Sequence, residues 1–403
     1  MSILYDMNLS LCMIVKNEEA TLPQCLNSVK DVVDEMVVLD TGSSDRTPEI
    51  ALNLGAKVYH FPWGNDFAAA RNESLKYVQG KWVLVLDADE VLVPEIVPQI
   101  QQVIKSDRHI LINLVRQEVG ASQSPYSLVS RLFRNHPDVR FSRPYHAMVD
   151  DHVQALLQRE SQWEVGYLPD VAMLHYGYQP GAIASRDKLN KARTTMEGFL
   201  ATHPHDPYVC SKLGGLYIDL GEVDRAIELL QRGLTANTLD VSVLYELHYH
   251  LGNAYTHLQD INQAVLHYQA AIQQPVLPIL KLDAYNNLGN LLKAAGDLTN
   301  ARKAYEIALQ IDPNFTIGYY NLGMTLRAMG FFEDAIAVYR KAIAINPNYA
   351  EAYQNLGVVL LQSGNVAESI AAFRNAIVLH QQHNPEEAQR LLNDPLLSAL
   401  LTN

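Results

Sequence analysis

One spacing constrains this chain more than any other feature. A Leu-Gly pair begins at Leu288, again at Leu322 and again at Leu356, 34 residues apart each time. Around these pairs the stretches "NNLGNLLKAAGDLTNARKAYEIALQIDP", "YNLGMTLRAMGFFEDAIAVYRKAIAINP" and "QNLGVVLLQSGNVAESIAAFRNAIVLH" align without gaps. A period of this length is read as two antiparallel helices per unit, stacked side by side. Gly289, Gly323 and Gly357 let helices approach closely, Ala301, Ala335 and Ser369 sit where the second helix packs tightly, and Tyr305, Tyr339 and Phe373 fill the next layer. Pro313 and Pro347 stop the second helices, since proline lacks the N–H that a helix interior needs. Two earlier units begin at Leu213 and Leu251 with offsets of 38 and 37, so their connecting turns are longer. The tail "PEEAQRLLNDPLLSALL" reads as a capping helix. A single repeat cannot bury its own face, whereas five and a cap make a stable solenoid.

The N-terminal half has a different rhythm. "LSLCMIV", "EMVVLD", "AKVYHF" and "KWVLVLD" read as strands, and "EATLPQCLNSV", "TPEIALNL" and "FAAARNESLKYV" as the helices between them. Alternating units of this kind give a largely parallel sheet. Ligands of such sheets bind beyond the carboxyl ends of the strands. The polar residues there are Lys16-Asn17-Glu18 after the first strand, Asp40 after the second and Asp87-Ala88-Asp89 after the fourth. "VLVLDADEVL" is the oddest segment, an apolar run interrupted by Asp87, Asp89 and Glu90. Burying an unpaired carboxylate costs several kcal/mol, so the acids need a purpose.

Composition narrows that purpose. The 31 basic and 44 acidic residues give a net charge of −13, spread as −6 over residues 1–200 and −7 over 201–403. Neither half is built to coat phosphate backbones or anionic lipid, which argues against nucleic acid and membrane-surface partners. Cys12, Cys25 and Cys210 are few and scattered, which excludes a disulfide framework or Cys-rich zinc site and fits a reducing cytoplasm. No secretory signal opens the chain and no apolar run is long enough to span a membrane. Neither GxGxxG nor GxxxxGK[ST] occurs, so dinucleotide and P-loop fingerprints are missing. Carboxylates at strand ends suit a hard divalent cation, Mn²⁺ or Mg²⁺, shared with substrate phosphates.

The ordered set "CMIVKNEEATLPQCLNSV", "VVLDTGSSDRTPEI", "AAARNESL" and "WVLVLDADEVL" resembles the family 2 glycosyltransferases with a GT-A fold. The chain is similar to their bacterial subgroup with C-terminal tetratricopeptide repeats, which includes peptide S-glycosyltransferases. The resemblance covers about residues 8–195 and 207–383. The expected fold class is an α/β GT-A domain (Rossmann-like, mostly parallel sheet) over residues 1–204, followed by an all-α tetratricopeptide solenoid over 205–403. The resemblance implies a metal-dependent transferase that uses a nucleotide-diphosphate sugar, by family habit a UDP-sugar, and inverts the anomeric centre. It implies that Asp40 bonds the nucleobase, Glu18 lines the nucleotide pocket, Arg71 faces base or phosphate, Asp87 lies near the ribose, and Asp89 and His175 of "LHYGYQ" hold Mn²⁺ or Mg²⁺. "RLFRN" and "RFSRPYHAMVDD" resemble the acceptor side. There the subgroup shows His-Glu where this chain has His146-Ala147, so the usual base is missing and Asp150, Asp151 and Glu118 are the acids left to consider.

Plainer roles compete with these. Asp40 could start a turn, Asp45 caps the helix near Pro48, Arg71 could be a solvated helix residue, His175 could be a core histidine, and Trp63 and Trp82 read as core or pocket wall. Asn287, Asn321 and Asn355 recur one residue before each Leu-Gly. Such amides either bond a neighbouring helix or form a ladder that grips an extended peptide. Three functions follow: transfer to a peptide or protein positioned by the repeats, transfer in surface polysaccharide or glycolipid assembly, or a non-catalytic repeat scaffold for protein–protein interaction.

Overall fold

The computed structural model describes residues 8–121, 125–177, 186–236 and 239–402. The chain divides into two compact units, Met1–Val209 and Cys210–Asn403.

The first unit is built on one eight-stranded sheet. Its strands are β1 (Leu9–Val15), β2 (Glu35–Asp40), β3 (Lys57–His60), β4 (Trp82–Val85), β5 (Glu90–Leu92), β6 (His109–Glu118), β7 (Tyr126–Arg134) and β8 (Glu164–His175), in the spatial order β3-β2-β1-β4-β7-β6-β8-β5. The helices are α1 (Leu22–Val29), α2 (Thr47–Asn53), α3 (Phe67–Ser74), α4 (Val97–Val103), α5 (Asp150–Arg159) and α6 (Arg186–Thr202). β1 to β4 pair in parallel, as the βαβ pattern requires, and β6 pairs in parallel with β8. β7 runs antiparallel between β4 and β6, and β5 antiparallel to β8. β1 and β2 are buried on both faces, which is why they read as continuous apolar runs rather than alternating ones. One apolar layer joins Leu11, Met13 and Leu84 to Leu22 and Leu26 of α1 and Ile100 of α4. The other joins Cys12, Val85 and Phe133 to Ala68 of α3 and Val153 and Leu156 of α5.

β4 and β5 are the detail that makes a site. They are consecutive in sequence but lie at different places in the sheet, β4 beside β1 and β7, β5 at the edge beside β8. The chain crosses between them through Leu86-Asp87-Ala88-Asp89. The register then sets Glu90 of β5 beside His175 of β8, and His175 beside Glu118 of β6.

The second unit is a run of helix pairs. Those called by the 34-residue period are Leu282–Ala294 with Leu298–Ile311, Thr316–Ala328 with Phe332–Ile345, and Ala350–Gln362 with Val366–His383. Two more precede them, Pro207–Asp219 with Val223–Leu234 and Val241–His257 with Ile261–Gln273. The extra residues of the second offset form a turn of 3₁₀ helix at Pro278–Lys281. A Cβ added at Gly252, Gly289, Gly323 or Gly357 would meet Tyr268, Tyr305, Tyr339 or Phe373 at 2.6–2.9 Å. Each glycine is therefore the seat of an aromatic ring from its own partner helix. The tail differs from the single capping helix expected of it. It forms two helices, Pro385–Asn393 and Pro395–Thr402. Pro395 cannot continue the first helix, and Asp394 Oδ1 takes the N–H groups of Leu396 and Leu397 to start the second.

Candidate active site

Asp87 opens the crossing from β4 to β5, and two arginines grip it. Arg71 Nη2 on α3 donates to its Oδ1 at 2.6 Å, and Arg131 Nη2 on β7 donates to its Oδ2 at 2.6 Å. Burial alone would push this carboxyl up, but the Arg131 and Arg71 guanidiniums hold it far below the usual carboxylate range. Glu90 is fully buried. It accepts the Asp87 backbone N–H at 2.8 Å through Oε2 and Arg116 Nη1 at 2.9 Å through Oε1. The Asp87-to-Glu90 turn closes in the other direction by Glu90 N–H donating to the Asp87 carbonyl at 3.0 Å. The third carboxylate of "VLVLDADEVL" is thus the internal brace of the turn that carries the other two.

Asp89 faces His175, with Oδ2 3.2 Å from Nε2. The opposite ring nitrogen, Nδ1, bonds Glu118 Oε2. Glu118 is itself held by Arg116 Nε and Ser127 Oγ, both at 2.8 Å from its Oε1. Burial raises the Glu118 carboxyl, yet His175 and Arg116 outweigh it and keep the group below its ordinary value. Burial likewise opposes charge on His175, but the two flanking carboxylates win and push it up to about 9. A histidine whose Nδ1 is held by a carboxylate presents Nε2 as a ligand. Asp89 and His175 make a two-ligand pair, the number that Mg²⁺ and its relatives take from protein when phosphates supply the rest. Among the described residues no group of three or more His, Cys, Asp or Glu side chains is arranged to hold a metal by itself. The donor set therefore fits a cation that arrives with a diphosphate.

The loops after β1 and β2 form the neighbouring rim. Asn17, at φ +57°, takes the Ser44 N–H on its side-chain oxygen at 2.7 Å and donates its own N–H to Ser43 Oγ at 2.9 Å. Glu18 N–H donates to Thr47 Oγ1 at 2.7 Å, and the Glu18 carboxylate accepts from Thr21 Oγ1 at 2.7 Å. Asp45 accepts the Glu19 and Thr47 N–H groups at 3.2 and 3.0 Å, so it stitches the two loops as well as starting α2. Asp40 is only 4% exposed, and its carboxylate accepts the N–H groups of Gly42 and Ser43 at 3.1–3.3 Å. His60 Nδ1 lies 3.3 Å from it.

Several expected residues are placed differently from one another. Arg71 is not a solvated helix residue: it is 7% exposed, with its guanidinium on Asp87. Arg131 lies in the "RLFRN" segment assigned to the acceptor side, yet it joins Asp87 and Glu90. Glu118, a base candidate, is spent on His175 and Arg116. Asp151 pairs with Arg143 at 2.6 Å, and Asp150 accepts from Ser130 Oγ at 2.8 Å. His146 is exposed, on the loop between Ser142 and Met148. Trp82 is core, 1% exposed beneath the Arg134 guanidinium. In the second unit Asn287 donates to Asn253 at 3.3 Å, Asn321 to Asn286 at 2.9 Å and Asn355 to the Tyr320 hydroxyl at 3.2 Å. These amides tie each repeat to the one before it, and Asn321, at 6% exposure, is buried in doing so. Tyr178 and Gln179 of "LHYGYQ" lie outside the described residues.

The sequence reading passed over Arg116, Arg131 and the bracing role of Glu90. A signal was there: "LINLVRQE" and "LVSRLF" each hold one arginine inside an apolar strand, and a buried guanidinium requires acids beside it.

Comparison with known proteins decides the family. Residues 10–166 match the family model described as glycosyl transferase family 2, and residues 211–278, 282–315, 323–364 and 350–382 match tetratricopeptide-repeat models. A TPR repeat-containing protein of Synechococcus elongatus is 45% identical over 304 residues, 75% of each chain. The chain belongs to the family 2 glycosyltransferases that carry tetratricopeptide repeats. The SPbeta prophage-derived glycosyltransferase SunS of Bacillus subtilis is similar at 26% identity over 225 residues, which cover 55% of this chain and about half, 52%, of SunS. Among solved structures, MamA is 26% identical with a TM-score of 0.38, over 42% of this chain and 95% of that one. This glycosyltransferase has, among its described residues, no helix long and apolar enough to cross a membrane.

Proposed function

We propose that this glycosyltransferase moves a sugar from a nucleotide-diphosphate donor, a UDP-sugar, in a reaction that depends on Mn²⁺ or Mg²⁺ and inverts the anomeric centre. One observation carries the reading: Asp89 and His175 converge at the crossing from β4 to β5, with Glu118 fixing the imidazole from behind. A divalent cation held there would offset the charge of the departing diphosphate, an effect worth several kcal/mol. The protein's own groups do the rest. Asp40, locked by its loop, retains lone pairs for a nucleobase N–H. Asn17, Glu18 and Asp45 hold the two rim loops at fixed separation, which preorganises the pocket. Glu90, Arg116 and Arg131 keep the Asp87 turn from collapsing. Asp150 stays a candidate for the base that takes the acceptor proton. The repeats engage a polypeptide, as carrier of the acceptor or as a partner, and Asn287 and Asn355 lie on the helices that would meet it. Three buried, unpaired cysteines suit the cytoplasm.

The test is thermal stability of the full chain with UDP, GDP, CMP or dTDP, with Mn²⁺ or with EDTA. A ligand at a hundredfold excess over its Kd stabilises by about 2.7 kcal/mol. A shift with UDP that needs Mn²⁺ and is lost in Asp89→Ala supports the reading. Glu118→Gln should weaken Mn²⁺ binding to the UDP complex by about 10–100-fold, the usual effect of removing an orienting partner. Equal shifts in Asp89→Ala and wild type would remove the metal site from the mechanism.

A further inference from the structure

Five non-glycine residues among those described have left-handed backbones, and three of them sit in two short segments outside the donor site. Asn65 has φ +59°, Arg143 +71° and His146 +50°. Such conformations cost a bulky residue of the order of 1 kcal/mol and gather where a loop is held for a purpose. Here the purpose can be read from what the segments present.

Residues 142–148 form a closed loop. Ser142 and Met148 exchange backbone hydrogen bonds at 2.9 and 3.3 Å. Its base is pinned to α3, because the Asn72 side chain both accepts the Phe141 N–H at 2.8 Å and donates to the Phe141 carbonyl at 2.9 Å. Its tip is pinned too, by Phe67 N–H donating to the Pro144 carbonyl at 3.0 Å. Arg143 turns its guanidinium away, onto Asp151 at 2.6 Å and Asp206 at 2.9 Å. What the tip leaves outward is a chain of rings. Trp63 meets Phe67 edge to face at 4.8 Å between centroids, Phe67 meets Tyr145 at 5.5 Å, and Tyr145 meets His146 at 4.6 Å. Trp63, Phe67 and Tyr145 are half-buried and His146 is exposed. Asn65, which accepts the Trp63 indole N–H at 3.0 Å, adds an amide to the rim.

This shelf adjoins the chemistry. Phe67 and Arg71 lie four residues apart on α3, hence on one face and about 6 Å from each other, and Arg71 grips Asp87. We propose that the Trp63–Phe67–Tyr145–His146 shelf is an acceptor subsite that stacks the ring of a saccharide; the proposal rests on the donor reading above. A pyranose has an apolar C–H face and a hydroxyl edge. Half-buried rings bordered by the neutral polar groups of Asn65 and His146 match both. The one cation on the loop, Arg143, is committed to two carboxylates, so the shelf is not built for a phosphorylated lipid carrier. Because the loop is held before anything binds, stacking costs little ordering entropy.

The test uses the full-length protein on a printed glycan array with hexose, hexosamine and deoxyhexose termini, beside a peptide array, in UDP and Mn²⁺. Wild type, Trp63→Ala, Tyr145→Ala, Trp63→Phe and Tyr145→Phe are compared, and UDP–Mn²⁺ binding is measured for each by calorimetry. The expected result is a set of glycans whose binding falls at least tenfold in the two alanine variants and recovers in the two phenylalanine variants, with UDP binding unchanged throughout. Glycan binding that ignores the alanine changes, peptides lost in place of glycans, or no glycan bound by a wild type that binds UDP would each overturn the subsite. Failure of wild type to bind any nucleotide would instead overturn the donor reading and the subsite with it.

Discussion

The two units of this chain solve the same problem, placing a polar or crowded group where it costs stability, in opposite ways. The catalytic unit gathers its groups from far apart. Asp87 is held by residues 16 positions before it and 44 after it, and His175 by Asp89 and Glu118, 86 and 57 positions earlier. The repeat unit keeps its contacts close: Gly323 meets a ring only 16 residues on, in the next helix, and repeats that arrangement four times. The difference teaches that register across a sheet can concentrate charge at one point, whereas a short period spreads small, equal contacts along a line.

The sharpest way to break this comparison is to remove one cation from each unit. Arg131→Met leaves Asp87 and Glu90 short of a partner inside the protein and should destabilise the catalytic unit by about 3–5 kcal/mol. Arg340→Met removes a pair with Glu368 whose side chains are 55% and 60% exposed, and should cost less than about 1 kcal/mol. Denaturant melts of both variants check this, and similar losses would erase the contrast.

Acid should separate the units next. His250 in the repeats is pushed down to about 4, mainly by burial, with Glu246 acting against it. The unfolded chain takes up that proton first, near its ordinary value of about 6.5. Stability is therefore full above that pH and is lost as pH falls from about 6.5 towards 4, by up to about 3 kcal/mol. His175 moves the other way, so it adds no such loss to the catalytic unit. Urea melts at pH 7 and pH 5 should show the repeats weakening more, and His250→Leu should flatten that slope.

Two smaller tests probe the period. Gly323→Ala would set a methyl 2.6 Å from the Tyr339 ring and should cost about 1–3 kcal/mol, the usual range for overpacking. Gln259 has φ +58° where the equivalent positions in the other repeats are Gly221, Gly296, Gly330 and Gly364 at +78° to +85°. Gln259→Gly should therefore stabilise by about 0.5–1 kcal/mol. A loss of stability there would show that the glutamine side chain matters to the turn.

How far each unit was legible follows from the same contrast. The repeats were readable because Leu-Gly, the small residue and the ring recur on one helix pair, so a period in sequence is a contact in space. Only Pro395 was underweighted, and it split the expected cap in two. In the catalytic unit the strand-end acids stood out because apolar strands isolate them. Their partners did not stand out, because Arg131 pairs with Asp87 only after β7 inserts antiparallel between β4 and β6, and no local pattern announces that insertion. Glu118 is the plainest instance: its acid was visible, while its neighbour His175 depends on the parallel pairing of β6 with β8. The amides of Asn287, Asn321 and Asn355 were visible as a ladder, but their exposure was not, since a period does not say which way a face is turned.

The seat of each ring on a glycine has one more consequence, for how such a chain can change its length. Excising residues 289–322 would join Leu288 directly to Gly323, so the Leu-Gly pair survives the cut and the next ring finds its glycine waiting. Duplicating the same 34 residues works equally well. The array can be shortened or extended by whole units while the reacting residues stay untouched, which leaves reach and chemistry free to be inherited separately.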